Sequence, residues 1–257
     1  MMIENFVLYI VVFLYGIVIG SFLNVCIYRM PKEESIVTVG SHCMSCNHKL
    51  RWVDLFPLFS WLFLKGRCRY CGAKISAQYP LVEAANGVLY VLIFFVNGWN
   101  VDSVLWCLLI SVILVIAVID FRAMKFPSML DGVVLVIGVV HLILHREQWV
   151  YYVAGFLFMG LFLLLCAVLF KKLTGKAGLG YGDIELMACA GLCMGWGHAL
   201  LALIIACLLG CVIQGIIMAV TKKGGRFPLV PYLATGIYVV LLWGDTMLNW
   251  YVKTFIY

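Results

Sequence analysis

The chain has 257 residues, 65% of them hydrophobic and 12% charged, and its 18 lysines and arginines against 12 acids give a formal net charge of +6. No soluble domain needs that much apolar side chain to fill a core, so the composition excludes a soluble globular protein and predicts a polytopic membrane protein. The positive balance does not point to nucleic acid, because the basic residues are spread over loops between apolar stretches instead of lining one soluble face.

A helical span takes about 20 apolar residues. Eight candidate stretches follow one another at residues 5–28, 82–97, 102–120, 127–145, 149–170, 184–197, 198–220 and 228–247. The first has no basic residue before it and no small-residue cleavage site after it, which predicts a retained span and not a removed signal. The sixth is short and interrupted by glycine, so it is expected inside the bundle, away from lipid. The expected fold class is all-α, with about eight transmembrane helices and a small loop domain between the first and second.

Short loops rich in Lys and Arg stay cytoplasmic. The loop from Arg29 to Pro80 carries Arg29, Lys32, Lys49, Arg51, Lys65, Arg67, Arg69 and Lys74. If the spans alternate, Arg122 and Lys125, then Lys171, Lys172 and Lys176, then Lys222, Lys223 and Arg226 share its side, which makes 16 of the 18 basic residues. Arg146 and Lys253 fall outside that set. The asymmetry predicts eight spans with both termini outside and these loops cytoplasmic.

The first loop holds Cys43-Met44-Ser45-Cys46 and Cys68-Arg69-Tyr70-Cys71, two CxxC pairs with 21 residues between them. That spacing is close to a four-cysteine zinc site. Each pair is followed by a residue that tolerates a left-handed backbone, Asn47 or Gly72, and then by Lys49 or Lys74 at the same offset. Such turns let backbone amides point at thiolate sulfur, which predicts two knuckles closing one tetrahedral zinc site. Disulfides are disfavoured in a reducing compartment, and a loop with few large apolar side chains needs a staple. The remaining cysteines, among them Cys166, Cys189, Cys193, Cys207 and Cys211, are expected to be small packing residues.

Asp120 and Asp183 each lie where an apolar stretch meets a basic loop, one ending the third stretch and one starting the sixth. Acids at membrane depth are expensive and mark function or a partner. The topology puts both on one face. His141, His145 and His198 fall at or near the other face, which gives a histidine mechanism no support. Asn24, alone in an apolar span, is expected to hydrogen-bond a neighbouring helix.

Several ordered strings carry a family resemblance. Gly20-Ser21-Phe22-Leu23-Asn24-Val25-Cys26-Ile27-Tyr28-Arg29-Met30-Pro31, the two CxxC pairs, Pro57-Leu58-Phe59-Ser60-Trp61, Tyr79-Pro80-Leu81-Val82-Glu83 and Gly180-Tyr181-Gly182-Asp183 together resemble the bacterial type IV prepilin peptidases, of the GxGD class of intramembrane aspartyl proteases. Asp120 followed by Pro127 fits the same pattern, and Arg226-Phe227-Pro228-Leu229-Val230-Pro231 looks like the family's bent entry to the last span.

The resemblance implies a multi-pass enzyme of the bacterial inner membrane that cuts the short basic leader from prepilins and pseudopilins at the cytoplasmic face. With the long first loop and its cysteines present, it also implies methylation of the new amino terminus from S-adenosylmethionine. The domains are then a first transmembrane helix at 1–28, a cytoplasmic zinc-binding loop domain at 29–81 and a transmembrane helical peptidase domain at 82–257. The lipid bilayer and the prepilin are the implied partners, and no oligomeric state follows. Two departures stand out: Glu185 replaces a common lysine, and Phe126-Pro127-Ser128 replaces Ile-Pro-Asp.

The chemistry is arguable without the family. Hydrolysis by an aspartyl pair needs one carboxylate ionised, to take a proton from water, and one protonated, to donate to the scissile carbonyl oxygen. Two carboxyl groups brought together in a poorly solvated place resist double ionisation, so the pair divides the labour as a unit. Attack gives a tetrahedral diol without a metal or a covalent intermediate. Gly180 and Gly182 are expected to let an extended substrate lie against the loop that supports Asp183, although Asp183 as an ordinary helix cap is the simpler local reading. Glu83, Asp131 and Glu185 are candidate substrate or cofactor contacts. The competing readings are a peptidase without methyl transfer, a proton-coupled transporter that uses the same aspartates, and an assembly factor whose zinc loop docks partners.

Overall fold

A computed structural model describes residues 2–176, 178–222 and 227–255, with side chains from Phe6 onward. Lys223 and Arg226, counted above among the loop cations, lie outside the described residues. Nine α-helices form among those described, and the expected stretches coincide with eight of them. The chain divides into two compact units, Met1–Ser103 and Val104–Tyr257.

In the first unit α1 (Met2–Arg29) packs along α3 (Gln78–Asn97), with the loop and the short α2 (Phe59–Phe63) between them in sequence. Small residues set the approach. A Cβ on Gly16 would lie 2.7 Å from Gly87 Cα, and one on Gly20 would lie 2.7 Å from Glu83 Cα. Close backbones of this kind drive helix association where lipid removes the hydrophobic contrast. Asn86 donates from Nδ2 to the Gly16 carbonyl at 2.8 Å, and Asn24 donates from Nδ2 to the Tyr79 carbonyl at 3.0 Å, which is the interhelical bond expected of it.

The second unit contains α4 (Val101–Ala123, its first turn belonging to the first unit), α5 (Ser128–Leu144), α6 (Trp149–Thr174), α7 (Tyr181–Met194), α8 (Trp196–Thr221) and α9 (Val230–Phe255). Every residue of α7 from Leu186 to Met194 is buried. The glycine-interrupted segment is therefore an interior helix, packed on α5, α6 and α8. In contrast, α6 and α8 leave Leu161, Leu165, Val168, Val212, Ile216 and Val220 exposed, as lipid-facing flanks do.

Among the described residues, five helical segments are long and apolar enough to cross a membrane: Phe6–Lys32, Gln78–Asn97, Val101–Ala123, Arg146–Thr174 and Trp196–Thr221. The difference from the expected eight has physical causes. The helices α5 and α7 are short, at 17 and 14 residues, and α9 mixes Asp245, Asn249 and Lys253 into its apolar run. The cysteines also divide. Cys189 and Cys193 are buried, as expected, whereas Cys166, Cys207 and Cys211 are exposed on the outer faces of α6 and α8.

Candidate active site

The site is built at one end of the second unit. The last turns of α4 carry Asp120, and a turn with Met124 at φ 48° leads through Phe126 to Pro127, the N-cap of α5. Proline ends one helix and opens the next because it lacks an N–H to give and fixes its own φ. The first turn of α7 carries Asp183. Its Oδ2 accepts from the Gly180 amide at 3.3 Å, so the carboxylate does cap its own helix. Asp120 lies within electrostatic reach of Asp183, and Asp120 Oδ2 accepts from the Val230 amide at the start of α9 at 3.1 Å. The two acids that the sequence singled out thus share one end of one bundle, although Asp183 also fills the simpler role of cap.

Gly182 is where space is shortest. A Cβ there would overlap the Phe126 ring, so the first turn of α7 lies directly on the turn after Asp120. Gly180 is less crowded, since a Cβ on it would meet Asp183 Oδ2 at 3.0 Å.

The other candidate acids separate. Asp131, in the first turn of α5, is buried with both carboxylate oxygens shielded, and it feels Glu185 and Asp183. Glu185 is exposed. Glu83 belongs to the first unit, where its Oε2 accepts from the Leu58 amide at 2.8 Å. Leu58 has φ 60° at the head of α2. Glu83 therefore holds a strained turn in place, a structural task that its sequence position did not disclose.

The cysteine loop contains two matching turns. Cys43 donates to the His48 carbonyl and accepts from Asn47 at 3.0 and 2.8 Å, and Cys68 does the same with Ala73 and Gly72 at 2.8 and 2.9 Å. Asn47 and Gly72 have φ of 55° and 71°, and Lys49 and Lys74 close antiparallel bridges to His42 and Arg67. The offsets read from sequence are the offsets of the turns. Ligand atoms of Cys43, Cys46, Cys68 and Cys71 all lie within 4.8 Å of one another, with 3.8 Å between the Cys43 and Cys71 sulfurs.

The backbone amides of Cys46 and Ser45 turn toward the Cys43 sulfur and lower its pKa to about 6. The Cys71 thiol receives the Ala73 amide, which acts to lower it, yet burial and the other three thiols push it up to about 12. Four soft donors at this spacing, one ready as thiolate, fit a tetrahedral metal ion.

Three supports were not visible in the sequence. Arg29 is buried, and its guanidinium donates to the carbonyls of Ser35, Val39 and Gly40 at 3.1, 2.6 and 3.2 Å. Asp54 accepts from Arg69 Nε at 2.7 Å, the Tyr70 hydroxyl at 2.9 Å and the Arg51 amide at 3.2 Å, and so grips the residues between Cys68 and Cys71. At the far end of the second unit, His198 lies 2.9 Å through Nδ1 from the Tyr151 hydroxyl and 3.1 Å through Nε2 from Asp245 Oδ1, linking α6, α8 and α9. Their only advance signal was polarity within or beside an apolar run.

Residues 14–97 match the family described as Bacterial Peptidase A24 N-terminal domain, and residues 107–215 match the Type IV leader peptidase family. Relatives named "Prepilin leader peptidase/N-methyltransferase" are similar over nearly the whole chain. That of Aeromonas salmonicida is 34% identical over 277 aligned positions, covering 95% of this chain and 93% of the relative. That of Aeromonas hydrophila is 34% identical with 95% and 94% covered, and that of Pseudomonas aeruginosa is 32% identical with 93% and 92% covered. No solved structure matches the chain significantly.

Proposed function

This chain belongs to the Type IV leader peptidase family, and from that premise we propose that Asp120 and Asp183 form the dyad with which it cuts prepilins. The protein is a multi-pass membrane enzyme that processes prepilins and N-methylates the product. The observation that carries the dyad is the meeting of the two acids, drawn from helices more than sixty positions apart, at one end of one bundle. Acids at a membrane boundary are retained for a partner or a task.

The labour divides between them. One carboxylate takes a proton from the attacking water while the other, protonated, gives its proton to the scissile carbonyl oxygen. The tetrahedral diol then collapses, and the leader's carboxylate and the new amine part. The Val230 amide fixes the rotamer of Asp120, and the Gly180 amide fixes that of Asp183. Preset rotamers spare the entropy of finding a reactive pose. Gly182 lets the Phe126 ring lie against the start of α7, which brings the turn after Asp120 onto the turn that carries Asp183.

The site end of the bundle is assigned to the cytoplasmic face and both termini to the outside, an orientation that the distribution of loop cations supports. Pseudopilins are taken as substrates alongside prepilins. Cys43, Cys46, Cys68 and Cys71 would hold a zinc ion through their four thiolates, which would order the loop and take no part in hydrolysis. S-adenosylmethionine is the methyl donor.

The test is a prepilin cleavage assay with mass measurement of the product, in which leader loss and methyl gain are separate masses. Asp120→Asn and Asp183→Asn should each end cleavage while the protein still accumulates. Normal cleavage in either variant removes that residue from the dyad.

A further inference from the structure

The segment between the two cysteine knuckles has no part in the chemistry of the dyad. It runs from Arg51 to Arg67, contains the string Pro57-Leu58-Phe59-Ser60-Trp61, and holds α2 together with the turn before it. Its large apolar side chains are turned outward. Trp52, Leu62 and Phe63 are 79%, 62% and 83% exposed, and Val53, Leu55, Phe56 and Phe59 are exposed as well. Apolar groups gathered on one exposed segment mark a surface made for a partner.

Two hydrogen bonds set the level of this segment. The Leu58 amide donates to Glu83 Oε2 at 2.8 Å, and Trp61 Nε1 donates to the Ile75 carbonyl at 3.3 Å, so α2 is fastened at its head and middle to the chain that enters α3. The 20 residues of α3 reach about 30 Å, the thickness of the hydrocarbon core, so no turn of it is spare. Glu83 lies about 7.5 Å along α3 from Gln78, and helical side chains lean back toward the N-terminus. The head of α2 therefore sits where acyl chain gives way to headgroup. On the same turn of α3 Leu81 is exposed, as a lipid-facing residue is. Arg51, Lys65 and Arg67 flank the apolar run and are exposed, and residues 29–80 hold 8 lysines and arginines against Glu33, Glu34 and Asp54.

We propose that residues 51–67 are a membrane-docking element. Its apolar face enters the boundary between headgroups and acyl chains of the leaflet where α1 ends and α3 begins, and Arg51, Lys65 and Arg67 lie at the level of the phosphates. An aromatic and aliphatic face flanked by cations is the composition of segments that rest in that boundary, and the cations complement its phosphate layer. A second copy of the chain fits less well, because two such faces would bring like charges together at their rims. The knuckles at Cys43 and Cys68 bracket the element in sequence, so docking holds both at the membrane surface. None of this depends on Asp120 or Asp183.

The experiment uses the full-length enzyme in nanodiscs of phosphatidylcholine and phosphatidylglycerol. The photoreactive residue p-benzoylphenylalanine replaces Phe63 or Leu62 in separate variants, and replaces Phe95, exposed on α3, in a third as the lipid-facing reference. After irradiation, the intact-protein mass should show one added phospholipid, with a yield at Phe63 and at Leu62 within about threefold of that at Phe95. A lower yield at both positions overturns the docking element, as does a crosslinked pair of protein chains in place of the lipid adduct. Both positions are exposed, and either one decides the question if the other variant does not accumulate.

Discussion

The amide of Val230 donates to Asp120 Oδ2 at 3.1 Å, across 110 positions of sequence. The bond ties the end of α4 to the start of α9, so the carboxylate proposed for the dyad also completes the N-terminus of a helix. Acids are favoured there, because the first N–H groups of a helix have no partner within it.

That double role separates fold from chemistry. In Asp120→Asn the side-chain carbonyl still accepts from Val230 but cannot take a proton, so cleavage should fall by about 1,000-fold or more while the melting temperature in detergent moves little. Asp120→Ala should lose both. Equal melting temperatures for Asn and Ala would show that the bond carries no stability.

Gly182→Ala should be damaging out of proportion to one methyl group, because that methyl overlaps the Phe126 ring. Overpacking typically costs about 1–3 kcal/mol, and displacing the first turn of α7, which carries Asp183, should reduce kcat by about tenfold or more. Phe126→Leu in the same chain should recover part of the activity. No recovery would mean that Gly182 is needed for backbone freedom and not for room.

In the cysteine loop, Cys43→Ser or Cys71→Ser should leave less than one equivalent of zinc on the purified protein, read by elemental analysis. Unchanged zinc in both would dismiss the four-thiolate site. Asp54→Ala removes the grip on Arg69 and Tyr70 without touching a thiol. It should weaken zinc retention against a chelator by about 10-fold, the scale of outer-shell effects on metal sites.

Arg29→Lys keeps the charge but loses the fork that reaches Ser35, Val39 and Gly40. Hydrogen bonds from a charged donor contribute about 1.5–3 kcal/mol each to stability. The melting temperature should therefore drop by several degrees, and protease should cut sooner within residues 33–40. A lysine variant as stable as the wild type would show that charge alone suffices there.

Legibility followed the range of each signal. A run of apolar residues is local, so the helices emerged within a few positions of the stretches read from sequence, and the glycine-interrupted α7 emerged inside the bundle. The paired turns at Cys43 and Cys68 were equally plain, because the left-handed residue and the lysine recur at fixed offsets. Asp120 and Asp183 were marked by placement and by the family strings around them. What could not be read depends on register between distant helices. Nothing near Asp131 announces that it faces Glu185, nothing in Val230 marks its amide as a partner, and Arg29 counted as a loop cation until three carbonyls were seen around it.

The helices α5, α7 and α9 all begin at the end of the bundle where Asp120, Asp131, Asp183 and Glu185 gather. Each helix start presents roughly half a positive charge through its free N–H groups. Three such starts give the acids a counter-field made of backbone, which needs no lysine and leaves the space among the carboxylates open.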